Sequence, residues 1–241
     1  MEALLIRERY KVVRVLDARA GYAFVQAVDI LDREQSAYLL NIYEGELLRA
    51  YLPGVSSMHN CPALRAMFIE SDSLVTVFDE CKGVPIDHVF YRGAKFDWRT
   101  RLDYAQLLMH RALSMADLPP EVSCAAMLSE NVLISQDDRE INMRFKVTPM
   151  EGMNGRELAY LACDQLKKIL LPGPGSPKEQ LDFLDELDGG VFPTVVPLYD
   201  LWIRRREQIR TACEELEKMN FIKRALKLLW GRIKRKVSKA R

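Results

Sequence analysis

The sequence predicts an α+β fold in which a strand-rich N-terminal lobe precedes a helical C-terminal lobe. Five short runs rich in β-branched and aromatic residues lie in the first 80 positions, and segments with helical spacing of apolar residues follow them. With 49% hydrophobic side chains in 241 residues, the chain can bury a substantial core. We expect the lobes to comprise residues 1–83 and 84–217, and residues 218–241 to form a separate basic amphipathic helix.

The strands expected in the first lobe are bounded by residues that favour turns. The run YKVVRVL begins at Tyr10 and ends before Asp17, and Gly21 separates it from the next run. A short helix over residues 44–51 is expected to end at Pro53-Gly54, because proline cannot donate a backbone hydrogen bond within a helix. The five strands are predicted over residues 10–16, 22–28, 37–43, 64–69 and 74–78.

The second lobe is expected to combine helices with one small hairpin. Two short strands at 132–134 and 143–147 flank a polar turn, and the loop LPGPGSP occupies residues 171–177. Apolar residues at helical spacing lead up to Pro119-Pro120. Helices are predicted over residues 97–116, 156–171, 182–188 and 197–230, with a break near Gly231.

The near-neutral net charge of +1 hides two regions of opposite sign. Ten of the 35 Lys and Arg residues lie from Lys218 onward, where no acidic residue occurs. The first 217 residues therefore carry a formal charge of −9 and the tail carries +10. Such an asymmetry indicates contacts with partners rather than a particular fold.

The composition excludes a disordered chain and a disulfide-rich scaffold. The five cysteines are widely spaced, without a Cys-x-x-Cys pair or a histidine cluster, which is typical of reduced thiols. Charged residues interrupt the apolar N-terminus, and no apolar run reaches the roughly 18 residues needed to cross a bilayer. We therefore expect a cytoplasmic chain, peripheral to the membrane if it contacts one.

Two phrases resemble motifs of the protein kinase family, and their order and spacing agree with it. The run SENVLI over residues 129–134 is similar to the end of a kinase catalytic loop, and FDECKG over residues 78–83 is similar to a kinase hinge. The resemblance covers roughly residues 8–171. It implies a two-lobed domain with a five-stranded antiparallel N-lobe and a reduced helical C-lobe. A looser similarity is to the cytoplasmic domain of the kinase-like membrane subunit of type VII secretion systems.

The resemblance also implies which positions should carry phosphoryl-transfer chemistry, and most of them are substituted. In the pattern H-R-D-x-x-x-x-N, Asn131 matches the asparagine and Ala126 stands where the catalytic aspartate should be. An alanine cannot accept a proton, so the general base is absent. Arg144 falls on the metal-binding aspartate of D-F-G, where a positive charge opposes Mg²⁺.

The phosphate-binding parts of the N-lobe are also substituted. The expected glycine positions fall at Asp17, Arg19 and Tyr22, whose side chains would keep the backbone away from phosphate oxygens. The third-strand lysine aligns with Asn41, and no lysine lies between Arg14 and Lys82.

These substitutions predict a catalytically inactive pseudokinase-like scaffold with no catalytic residue, cofactor or metal, which recruits a protein partner. An alternative is an atypical ATP-binding serine/threonine protein kinase or nucleotidyl transferase with displaced groups. It would use Lys82 or Lys146 for phosphate and Glu130 or Asp137 for metal, and these side chains would have to converge in the cleft between the lobes. A third alternative is an α+β interaction domain unrelated to kinases.

The tail is predicted to form an amphipathic helix suited to an anionic membrane or another acidic surface. At 100° per residue its apolar side chains share one broad side, and most basic ones lie opposite. The alternative is that the apolar side packs on the protein itself. Nucleic acid is not expected, because no aromatic stacking platform or groove-reading motif accompanies the charges. The expected surface contacts are Lys223, Arg224, Lys227, Trp230, Lys234 and Arg235.

Overall fold

The computed structural model describes residues 4–34, 36–58 and 60–239, with the side chains of Arg232 and residues 234–239 left undescribed. The first lobe is a six-stranded antiparallel sheet in the order β1-β2-β3-β4-β6-β5, with one helix between β4 and β5. All five predicted strands are confirmed, and the two-residue β1 is added at one edge. The elements are β1 (Leu5–Ile6), β2 (Tyr10–Arg19), β3 (Tyr22–Asp29), β4 (Ala37–Glu44), α1 (Glu46–Ser56), β5 (Leu64–Glu70) and β6 (Ser73–Asp79).

A glycine allows the tight turn between the second and third strands of this sheet. Gly21 between β2 and β3 has φ +71°, a conformation that glycine adopts without strain. The two edges of the sheet are connected, since the backbone N–H of Arg7 beside β1 donates to the carboxylate of Glu70 on β5 at 2.8 Å. The prediction that Pro53 ends the first helix is wrong. Helix α1 continues to Ser56, since burial of Tyr51 and Val55 outweighs one missing backbone hydrogen bond.

The second lobe is helical apart from a three-stranded sheet in the order β7-β8-β9. Its long helix α3 begins where Asp97 accepts a hydrogen bond from the backbone N–H of Thr100 at 2.7 Å. The elements are β7 (Val84–Pro85), α2 (Ile86–Val89), α3 (Trp98–Met115), α4 (Pro120–Ala126), β8 (Val132–Ser135), β9 (Glu140–Met143), α5 (Gly155–Ile169), α6 (Lys178–Gly189), α7 (Val195–Glu217) and α8 (Phe221–Lys239).

Three predictions for this lobe are wrong. The second strand of the hairpin is Glu140–Met143 rather than 143–147, because the chain reverses at Arg139 with φ +54° and Val132 pairs with Met143. Pro120 starts helix α4 instead of closing α3, since the first helical position needs no N–H donor. The last long helix breaks at residues 218–220, not at Gly231, because the side chain of Asn220 accepts the backbone N–H of Lys223 at 2.9 Å.

One large hydrophobic core runs through both lobes. It includes Phe24, Tyr43 and Phe78 from the sheet, and Leu108 and Trp202 from the helices, each at most 2% exposed. A smaller cluster on the other side of the sheet, around Tyr10 and Val75, is separate. The lobes are therefore joined by continuous apolar packing as well as by the chain connection.

Candidate functional site

Asn41 lies in the middle of β4 and is fully buried at the junction of the two lobes. Its side-chain oxygen accepts the hydroxyl of Tyr22 at 2.9 Å and the backbone N–H of Val147 at 2.8 Å. Its amide nitrogen donates to the carbonyl of Phe145 at 3.0 Å and to Thr76 Oγ1 at 3.3 Å. One amide thus connects strands β3, β4 and β6 to the segment that follows β9.

Two tyrosines strengthen the same connection. The hydroxyl of Tyr43 donates to the carbonyl of Val147 at 2.8 Å, and the hydroxyl of Tyr51 accepts the backbone N–H of Met150 at 3.1 Å. Burial raises the pKa of Tyr43 well above its usual value, so this hydroxyl stays protonated and can donate. The segment 145–150 is therefore attached to the N-lobe by side chains from β4 and α1.

The side chain of Phe145 is buried beside the hydrogen bonds of Asn41. It is 4% exposed, and its ring stacks on that of Phe78 with centroids 4.8 Å apart and planes 6° apart. Phe78 lies at the end of β6, just before the segment that resembles a kinase hinge. The stacked pair therefore packs the second lobe directly against the strand that leads into the hinge.

Arg144 is half-buried, and its backbone N–H donates to the carbonyl of Asn131 at 2.8 Å. No carboxylate within the described part of the chain lies close enough to pair with its guanidinium. Its positive charge lies near the hinge. Burial raises the pKa of the Cys81 thiol there, and the charge of Arg144 partly offsets this rise.

Asn131 is buried and holds the turn after α4 in place. Its amide nitrogen donates to the carbonyls of Ala125 at 2.7 Å and Lys146 at 3.1 Å, while its side-chain oxygen is buried without a partner among the described residues. Ala126, which aligns with the aspartate of the catalytic-loop motif, is fully buried at the end of α4. Burial raises the pKa of the nearby Cys124 thiol to about 11.

Three charged side chains meet at the mouth of the cleft. The Lys146 ammonium is 3.1 Å from a carboxylate oxygen of Asp17 and 3.2 Å from one of Glu130, and its side chain is only 14% exposed. Hydrogen bonds from Lys146 and Arg19 lower the pKa of Asp17. The Lys146 ammonium thus lies between two carboxylates and pairs with both.

The residues proposed for an atypical enzyme only partly converge. Lys146 and Glu130 meet, whereas Lys82 and Asp137 are exposed, Lys82 beside β7 and Asp137 in the β8–β9 turn. Within residues 4–34, 36–58 and 60–239, no three His, Cys, Asp or Glu side chains come together in a way that could hold a metal ion.

The hinge packs so closely on β8 that only glycine fits at position 83. Gly83 has φ +141°, and a Cβ atom there would lie 2.9 Å from Leu133 Cβ and 3.1 Å from the carbonyl oxygen of Ile134. The next residue, Val84, pairs with Ile134 in the small sheet. The connection between the lobes is thus fixed by backbone pairing on its C-lobe side.

No family model and no curated protein matches this sequence. Among solved structures, the chain is similar to the Mycobacterium tuberculosis PknI kinase domain, with a TM-score of 0.55 and 13% identity over 85% of this chain and 99% of that one. A double mutant of the same domain gives a TM-score of 0.55 and 12% identity over 88% of this chain and 99% of that one. The chain has a protein kinase-like fold. At these identities the likeness concerns the fold alone.

Asn41 lies on the third long strand, where the motif alignment expects the lysine position. Arg144-Phe145-Lys146 follow β9 instead of lying on the second strand of the hairpin, where they were expected. Sequence reasoning missed the partners of Asn41, namely Tyr22, Thr76 and the backbone of residues 145 and 147. A signal was available, because an asparagine inside the apolar run AYLLNIY must satisfy its amide if that strand is buried.

Helix α8 packs on the kinase-like body with one side and leaves the other exposed. Lys227 pairs with Glu215 on α7 at 2.7 Å, and the Arg224 guanidinium lies 3.4 Å from the Cβ position of Gly175. Lys223 and Trp230 are exposed, and the side chains of Lys234 and Arg235 lie outside the described residues. Across the described chain, no helix is both long enough and apolar enough to cross a membrane. The exposed large apolar residues of α8 are Phe221, Ile222, Leu226, Leu229, Trp230 and Ile233.

Proposed function

We propose that this chain is a pseudokinase domain, a kinase-like scaffold that does not transfer phosphate and that recruits a protein partner. The observation that carries the proposal is the bonding of Asn41. Asn41 aligns with the position of the phosphate-binding lysine in kinases, and it is neutral. The oxygen and the nitrogen of its amide are already hydrogen-bonded to groups of both lobes. Nothing on that side chain remains to contact a nucleotide.

Three further features support an inactive cleft. Ala126 supplies no base, Arg144 supplies no metal ligand, and the carboxylate of Asp17 at the phosphate-loop position would repel a triphosphate. The ammonium of Lys146 is held by Asp17 and Glu130, so a phosphate would have to displace two carboxylates to reach it. Phosphoryl transfer depends on preorganised positive charge and metal, and this cleft offers neither in an accessible form.

Thermal unfolding of the full chain with and without ATP and Mg²⁺ tests this proposal. A ligand at one hundred times its Kd stabilises its host by about 2.7 kcal/mol, which corresponds to roughly 5–10 °C for a chain of this size. We expect no Mg²⁺-dependent shift. A shift of several degrees that requires both ATP and Mg²⁺, and that is lost in Lys146→Met, would support the atypical enzyme instead.

We further propose that helix α8 holds the scaffold at an anionic membrane surface. Ile222, Leu226, Leu229 and Ile233 fall within one narrow arc of the helix, and each is more than half exposed. The exposed Lys223 and Trp230 lie at the border of that arc. Apolar insertion flanked by basic residues is the physical basis of interfacial helix binding.

Sedimentation with phosphatidylcholine vesicles, with and without phosphatidylserine, tests the membrane proposal. We expect Leu226→Ser/Trp230→Ser in the full chain to weaken binding to the anionic vesicles at least about ten-fold, because two inserted apolar side chains are lost. The matched control is Leu31→Ser/Val191→Ser, since both leucine and valine here are 71% exposed and lie outside α8. Equal binding by both double variants would contradict the proposal.

A further inference from the structure

A cavity of about 420 Å³ lies where the N-terminal end of α3, the 171–177 loop, α7 and α8 meet. It is on the helical lobe and shares no lining residue with the cleft network around Asn41. Its walls carry three arginines, Arg92, Arg101 and Arg224, which come from three different parts of the chain. Its size is that of an ordinary small-molecule site.

The three arginines have no carboxylate partner among the described residues. The adjacent Arg99 does have one, since it pairs with Glu217 at 2.6 Å. The arginines that face the cavity thus differ from Arg99 beside it, whose charge is already paired. Three guanidinium groups without carboxylate partners thus line one cavity, and their positive charge favours an anionic ligand.

Arg101 is the most constrained of the three. Its guanidinium is half-buried and donates to the main-chain carbonyls of Ile169 at 2.5 Å and Ala94 at 3.3 Å. Burial lowers the pKa of Arg101, and no opposing carboxylate offsets that effect. The two carbonyls hold the planar group in one orientation, which reduces the entropy that it would lose on binding a ligand.

The two carboxylates that line the cavity are already engaged. Asp97 accepts the backbone N–H of Thr100 at the start of α3, and Glu217 accepts both Trp98 Nε1 at 2.7 Å and the guanidinium of Arg99. Since Arg99 neutralises Glu217, the lining retains an excess of about two positive charges. A phosphate monoester carries about −1.5 to −2 at neutral pH, so one such group balances the excess.

We propose that this cavity binds the phosphate group of a small soluble phosphate ester. Guanidinium forks match phosphate oxygens in pairs, and Arg101 is already oriented. Apolar side chains from the loop and from α7, such as Pro172 and Leu216, line the cavity as well and provide a surface for the organic part of the ligand. The site does not depend on the pseudokinase proposal, because none of its residues belongs to the cleft.

Calorimetric titration of the full chain with phenyl phosphate tests this site, with phenylacetate as the carboxylate comparison. We expect phenyl phosphate to bind more tightly than phenylacetate. We expect Arg92→Gln/Arg224→Gln to weaken phenyl phosphate binding at least about ten-fold, because two charge-assisted contacts are removed. The matched control, Arg14→Gln/Arg33→Gln, removes the same charge from exposed positions in the N-lobe and should leave the affinity within about two-fold.

The possible outcomes distinguish specific binding in this cavity from unspecific electrostatic binding and from binding in the cleft. Absence of binding, equal weakening in both double variants, or equal affinity for phenylacetate would overturn it. Arg101→Lys gives a second readout, because it keeps the charge but loses the fork, and it should weaken binding while the chain remains folded by circular dichroism. Any stabilisation by ATP without Mg²⁺ should disappear in Arg92→Gln/Arg224→Gln, whereas cleft binding would survive there.

Discussion

Replacing Asn41 by leucine is expected to lower the free energy of unfolding by about 3–5 kcal/mol, although the two side chains have similar volumes. The change leaves the Tyr22 hydroxyl, the Phe145 carbonyl and the Val147 N–H without their shared partner in a fully buried site. Each unsatisfied buried group costs about 1–3 kcal/mol. Urea unfolding of the full chain at 25 °C measures the loss.

The matched control for this prediction is Asn142→Leu. Asn142 donates its amide to the carbonyl of Lys82 at 3.0 Å in an exposed place, so its loss should cost less than about 1 kcal/mol. If Asn41 were only a remnant of a catalytic site, both variants would have similarly small effects. That outcome would contradict the structural role we assign to Asn41.

Phe145→Ala is expected to lower the free energy of unfolding by about 3–5 kcal/mol, because it removes a buried ring and leaves a cavity between the lobes. The loss includes the stacking on Phe78, whose ring lies 4.8 Å away. Differential scanning calorimetry and urea unfolding both measure this change. The variant should remain folded at low temperature, since the two lobes also share other apolar contacts.

Phe221→Ala provides the control for Phe145. Phe221 is 86% exposed at the start of α8, so its removal should change stability by no more than about 0.5 kcal/mol. An effect of Phe145→Ala below about 1 kcal/mol would mean that the ring does not pack the second lobe against β6.

Together, these contacts join the two lobes of this kinase-like fold across the cleft. Enzymes of this kind move their lobes to admit a nucleotide and to assemble the catalytic groups. Here Asn41, Tyr43 and Tyr51 bond the segment after β9, and each bond would have to break for the lobes to separate there. These hydrogen bonds therefore stabilise one arrangement of the lobes.

The overall fold was predictable from the sequence because its strands are short, β-branched and separated by clear turns. The alignment of Asn41, Ala126 and Arg144 with kinase motifs also followed from spacing along the chain. The partners of Asn41 did not, because Val147 lies 106 residues away and β9 ends before it. Predicting residues 143–147 as a strand gave this segment backbone partners in a sheet, whereas in the structure it bonds to side chains of the other lobe.

The end of the last long helix was likewise not predictable from local sequence. The helical spacing of apolar residues continues without interruption through residues 218–220. The new helix begins where the backbone N–H of Lys223 donates to the side chain of Asn220. The apolar side chains of the tail looked like one broad face. In the structure Leu228 lines a cavity against α6 and α7, while Leu226 and Leu229 are exposed, a division that depends on tertiary packing.

Transfer of the γ-phosphate from radiolabelled ATP tests the central claim most directly. The full chain is incubated with Mg²⁺ or Mn²⁺, alone and with a general protein substrate, beside the Lys146→Met variant. We predict no incorporation above the level of that variant, because the proposal assigns Ala126, Arg144 and Asn41 to the positions of the base, the metal ligand and the phosphate-binding lysine. Incorporation by the full chain that disappears in Lys146→Met would show an active kinase with displaced groups and would contradict the pseudokinase proposal.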